Sequence, residues 1–114
     1  MNFAPLPSVE AAAVPADGLI LDVREEDEWE AGHVEGALHI PMSDFVARFG
    51  AVTEAVAEGA RAHVMCRVGG RSAQVTQYLV QQGIDAVNID GGMIAWQSAG
   101  RPMVTDNGAT AVVL

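Results

Sequence analysis

The chain holds 114 residues, half of them apolar, which is one ordinary domain able to bury roughly two thirds of its unfolded surface. Fifteen acidic residues against six basic ones give a formal net charge of -9, and all six cations are Arg, so nucleic acid is a poor partner. Apolar runs such as 18–21 fall far short of the roughly 18 residues that a membrane span needs, and residues 1–7 show no export signal; no membrane partner is expected, and the location expected is cytoplasmic.

In chain order, residues 18–23 read as a buried strand. Residues 24–31 read as a helix whose acids at Glu25, Glu26, Asp27, Glu28 and Glu30 oppose its dipole, ended by Gly32. Residues 37–40 form a second short strand stopped by Pro41. Ser43 is the expected cap of a helix through Phe45, Val46 and Phe49 to Gly50, with a further helical turn from Thr53. Residues 62–65 are a third strand, followed by a glycine-rich loop, Cys66-Arg67-Val68-Gly69-Gly70-Arg71, and a helix over 72–82 started by Ser72 and closed by Gly83. Residues 86–89 are another strand, 90–92 a turn and 93–99 a short helix. This alternation predicts βαβ units on a parallel sheet within one domain over 1–104. The 105–114 tail has no assigned element. Its apolar 109–114 stretch is open to docking, with disorder as the default.

Cys66, the single cysteine, excludes an internal disulfide and a multi-cysteine metal site, and no metal or cofactor is expected. A lone cysteine in an Ala-rich chain is either a small buried hydrophobe or a reactive thiol. Its place at the carboxyl end of a parallel strand is where ligands bind in such sheets. The glycine pair permits a nest of inward N–H groups, the following helix start adds partial positive charge, and Arg67 and Arg71 flank the loop. Such surroundings bring a thiol from about 8.5 to roughly 3.5–7.5. Each pKa unit takes about 1.4 kcal/mol and one charge-assisted hydrogen bond supplies on the order of 1.5–3, so two bonds are sufficient. Cys66 is therefore the expected nucleophile, ionised near neutral pH.

Around this loop the sequence resembles a single-domain rhodanese from about Leu19 to Val104. The N-terminal part of the pattern stands as Leu21-Asp22-Val23-Arg24 and then Trp29-Glu30-Ala31-Gly32-His33-Val34-Glu35-Gly36-Ala37-Leu38-His39-Ile40-Pro41, with Trp29 where Phe or Tyr is usual. The C-terminal part stands as Asn88-Ile89-Asp90-Gly91-Gly92-Met93-Ile94-Ala95-Trp96 and Gly100-Arg101-Pro102. The resemblance implies a doubly wound, three-layer α/β/α domain around a parallel sheet of about five strands. It also implies a thiosulfate sulfurtransferase, in which Cys66 carries a sulfane sulfur as a persulfide to cyanide or a thiol. Arg67, Val68, Gly69, Gly70 and Arg71 would then supply the N–H cradle, with Arg67 and Arg71 binding a small anionic, thiosulfate-like donor. The acceptor side is open to thioredoxin or another sulfur-acceptor protein, and the second of two adjacent glycines predicts a mobile loop.

Two other readings differ in class. A cysteine phosphatase or arsenate reductase would share the cysteine, arginine and nest, but the four residues between Cys66 and Arg71 make this loop one shorter, and Met65 stands where those phosphatases have His. The other is a non-enzymatic regulatory module, or a sulfur relay that works only with a protein partner; catalytically inactive members of the resembled family typically lack the cysteine, so Cys66 argues for transfer chemistry, which relay and enzyme share. Among supporting residues, Asp22 and Arg24 lie where they could reach the loop, with Asp22 orienting Arg67 or Arg71, or else form a local ion pair; Ser72 starts the helix. His33 reads as a structural hydrogen-bonding group, and His39 and His63 lack metal-ligand spacing. Trp29 and Trp96 read as packing residues, and the acids of 24–31 as a solvated helix face.

Overall fold

The computed structural model describes residues 6–114; the expectation that residues 1–7 hold no export signal falls largely on residues 1–5, which lie outside the described residues. Its strands are β1 (Ser8–Glu10), β2 (Leu19–Asp22), β3 (Leu38–His39), β4 (Ala62–Met65) and β5 (Ala86–Asp90). The helices are α1 (Glu26–Ala31), α2 (Phe49–Ala55), α3 (Gly70–Gln81) and α4 (Gly92–Ser98). All strand pairs are parallel, in the order β1-β5-β4-β2-β3. The chain winds outward from β2 to β3, returns to β4 on the other side of β2, and winds outward again to β5. The order therefore reverses between β2 and β4, the place where open parallel sheets hold their ligands.

β4 is the central strand, and all four of its residues are buried, as a strand covered on both faces requires. Period-two alternation sorts neighbours onto opposite faces. Leu21 and Val64 join Val52 of α2 and Val75 and Leu79 of α3 on one side. Ile20 and Met65 join Ile89, Met93 and Trp96, with Ala11 and Val14, on the other. The expected doubly wound α/β architecture with five strands is what the chain adopts. Among the described residues, no helix is long and apolar enough to cross a membrane.

Four sequence expectations change. β1 had no signal, because a three-residue edge strand is too short to show a period; it is held by parallel pairing with β5 and by Asn88 N–H donating to Pro7 O at 2.8 Å. The helix expected from Ser43 to Gly50 is a 3-10 turn, Met42–Asp44, and α2 starts only at Phe49. Ser43 does not cap it, because its hydroxyl donates to Glu25 Oε1 at 2.7 Å. α3 begins at Gly70, two residues before Ser72, so Ser72 stands inside the first turn.

The tail, finally, is placed against the domain. His33 and Val104 form an antiparallel bridge, Asn107 Oδ1 accepts from Ala109 N–H, and Val112 N–H donates to Ala31 O at 2.8 Å. Elsewhere three arginines tie segments together: Arg101 donates to Ala11 O and Val14 O over the Trp96 ring, Arg48 to His39 O, and Arg61 to Asp85. Trp29 lies between the rings of His33 and His39, stacked at 3.7 and 4.4 Å. His33 accordingly has a structural role, with Nδ1 at 2.7 Å from Trp29 O.

Candidate active site

Cys66 follows β4 directly, and the sheet and α4 hold it from two sides. Val23 N–H donates to Met65 O at 2.9 Å. The first free N–H groups of α4, those of Met93 and Ile94, donate to Cys66 O and Arg67 O at 2.9 and 3.1 Å. Gly92 makes this approach possible: its φ is +54, and a Cβ there would stand 2.6 Å from Arg67 O and collide with Cys66 O. In the loop only Gly69 takes a positive φ, +112, whereas Gly70 is the first residue of α3. The pair that predicted mobility therefore divides into a turn residue and a helix start. The turn brings Gly69 N–H to 3.0 Å from Cys66 Sγ.

Ser72, fully buried in the first turn of α3, places its Oγ 3.2 Å from Sγ and 2.5 Å from Asn88 Oδ1. Asn88 on β5 also donates from Nδ2 to Gly69 O at 3.3 Å, so one side chain braces both ends of the turn. The Ser72 hydroxyl has one proton and two acceptors. It can stabilise a Cys66 thiolate only when it is not donating to Asn88. Burial pushes the Cys66 thiol up, but the Ser72 hydroxyl and the N–H groups of Ser72, Gly69 and Val68 outweigh it, and the net shift is downward. Since the thiolate is the reactive form, Cys66 alkylation should rise with pH to a midpoint below the roughly 8.5 of a free thiol; a pH series of iodoacetamide rates that centres above this value would reject an activated cysteine.

The two loop arginines face different ways. Arg71 makes a bidentate pair with Glu28 of α1, at 2.6 and 2.8 Å. That pair holds the Glu28 carboxyl below the usual carboxylate range and raises Arg71, which also feels the charge of Cys66. Arg67 is exposed and donates from Nε to Leu114 O at 2.6 Å; Val68, at the loop tip, is exposed too. Asp22 and Arg24 do not reach the loop. They form a buried ion pair at 2.8 Å, because Arg24 is enclosed beneath α1 and also donates to Glu28 O and Gly32 O. Asp22 therefore orients neither Arg67 nor Arg71. Arg24 instead holds the helix that presents Glu28.

Glu28 and Asn88 were missed as site residues. Glu28 is one acid in a run of similar ones, and nothing in the spacing distinguishes it. Asn88 did carry a signal, a polar residue inside an apolar strand, and it is buried with both amide atoms engaged. No cluster of His, Cys, Asp and Glu able to hold a metal occurs among the described residues. A cleft of about 540 Å³ opens at the amino ends of the strands, between Gly18, Val34 and Trp96, and is separate from Cys66.

A profile of the Rhodanese-like domain family matches residues 9–99. A putative sulfurtransferase of Bacillus subtilis, YtwF, is 36% identical over 83 residues, covering 73% of this chain and 77% of its own. A sulfurtransferase of Allochromatium vinosum is 36% identical over 93 residues, covering 81% and 83%. A rhodanese-related protein of Thermoplasma volcanium superposes with a TM-score of 0.78 at 28% identity, covering 88% of this chain and 99% of that one. With the match spanning both faces of the sheet and the whole cysteine loop, the chain belongs to the rhodanese-like domain family.

Proposed function

We propose that the chain is a rhodanese-type sulfurtransferase that moves a sulfane sulfur from a thiosulfate-like anion to a thiophilic acceptor, cyanide or a thiol. The observation that carries this reading is the geometry at Cys66, whose Sγ faces the first turn of α3 with the Ser72 hydroxyl at 3.2 Å and Gly69 N–H at 3.0 Å, contacts that favour the thiolate. The Cys66 thiolate attacks the outer sulfur of the donor, a new S–S bond forms, and the old one breaks with its electron pair leaving on sulfite. The acceptor then attacks the outer sulfur of the persulfide, taking it and returning the thiolate. The N–H groups at the first turn of α3, which lack partners within the helix, suit the negative outer sulfur. Arg71, which feels the Cys66 charge, suits the developing anion. Both curated relatives above carry the name sulfurtransferase, which supports the reaction class. Phosphoryl transfer is disfavoured by the short loop, in which Gly69 N–H already closes on Sγ.

The test is intact mass after thiosulfate and then after cyanide, with thiocyanate followed in parallel. One sulfur should be gained and lost again, and Cys66→Ser should gain none. A wild-type mass unchanged by thiosulfate would count against the donor. A protein thiol as acceptor, thioredoxin or a dedicated carrier, is the second reading, favoured by the exposure of Val68 at the loop tip, 56%.

A further inference from the structure

We propose that the 111–114 segment is a strap that sets the specificity of the site for donor charge, by holding Arg67 on the main-chain oxygen of Leu114 and away from the donor. The inference rests on the anionic-donor reading above. Two contacts on independent elements place the strap. Val112 N–H donates to Ala31 O at 2.8 Å, at the end of α1, and Leu114 O accepts from Arg67 Nε at 2.6 Å, beside the nucleophile. Between them the backbone runs tight against Gly32, where a Cβ would lie 2.7 Å from Val112 O and 2.9 Å from Val112 N. Gly32 has a φ of 168, extended backbone that any residue adopts, so here the missing side chain matters for space rather than for conformation. The strap lies beyond the 9–99 stretch matched by the family profile. Of the two loop arginines, one is neutralised by Glu28 and the other is turned outward to the strap. Release of the strap frees Arg67 to meet an anion at the mouth.

The contact is exposed, and exposed charge contacts shift equilibria only by small factors. Two full-length variants lift the strap without touching the loop: Gly32→Ala, by the collision above, and Val112→Pro, by removing the N–H that anchors it. Because Cys66 is the single cysteine, the ratio of its alkylation rates with iodoacetate and iodoacetamide reports the local field whatever the sulfur donor. In each variant this ratio should rise about threefold, and KM for thiosulfate should fall by a similar factor at unchanged kcat. Adding Arg67→Ala should abolish the gain. A ratio that does not move, or a gain that survives Arg67→Ala, would overturn the strap; if Gly32→Ala does not fold, Val112→Pro decides alone. Should the wild type take no sulfur from thiosulfate, the donor reading fails while the alkylation ratio still judges the strap.

Discussion

Gly92→Ala should lower kcat/KM for persulfide formation by about a hundredfold, although residue 92 contributes no group to the chemistry. The added carbon would meet Arg67 O at 2.6 Å and collide with Cys66 O, and both oxygens belong to rigid backbone. Restoring van der Waals contact, about 3.5 Å or more, means moving α4 and the cysteine loop apart by roughly 1 Å. Displacements of that size cost on the order of a hundredfold when reacting atoms must be aligned. The φ of +54 adds strain for any residue with a Cβ. The shift would also loosen the hydrogen bonds from Met93 and Ile94 N–H that hold the start of the loop. Single-turnover sulfur loading measures the effect, with circular dichroism to confirm folding. Loading within tenfold of wild type in a folded protein would mean that α4 does not position the nucleophile.

Asp22→Ala should destabilise the fold by about 3–5 kcal/mol, a large part of the roughly 5–15 available to a domain. It leaves Arg24 charged, fully buried and facing the space of its lost carboxylate, which now accepts from Nε, Nη2 and the Arg24 N–H. The double replacement Asp22→Leu with Arg24→Met should lose less stability than Asp22→Ala alone, because it buries no unpaired charge. It should nevertheless impair sulfur transfer, since the carbonyls of Glu28 and Gly32 lose the guanidinium that fixes α1. Urea unfolding of the three proteins checks this; a loss below about 1 kcal/mol for Asp22→Ala would show that the pair is not a structural requirement.

The central strands were legible in the sequence because burial on both faces leaves short apolar runs such as 19–21, bounded by Gly18 and Asp22. The place of Cys66 at the carboxyl end of a central strand was legible because a cysteine between a strand and a glycine-rich helix start is a chemical arrangement as well as a spacing. What escaped depends on contacts between segments distant in sequence. Glu28 meets Arg71 across 43 positions, and Ser72 meets Asn88 across 16. Ser43 was assigned to the helix that follows it, but Glu25, 18 positions earlier, takes its hydroxyl. Local pattern also placed Asp22 and Arg24 at the correct end of the sheet without revealing that Arg24 is roofed by α1. Only the packed helix makes that pair structural.

The arginines described above have a kinetic consequence. All six donate to partners within the fold: side-chain carboxylates for Arg24, Arg61 and Arg71, and main-chain oxygens for Arg48, Arg67 and Arg101. With a net charge of -9 and its cations engaged internally, the molecule presents a repulsive long-range field to a dianion, which must cross about 8 Å of incompletely screened solvent before any short-range attraction acts. Encounter with thiosulfate should accelerate as ionic strength rises, opposite to the behaviour of an electrostatically steered enzyme, whereas encounter with a positively charged carrier protein should slow as salt is added.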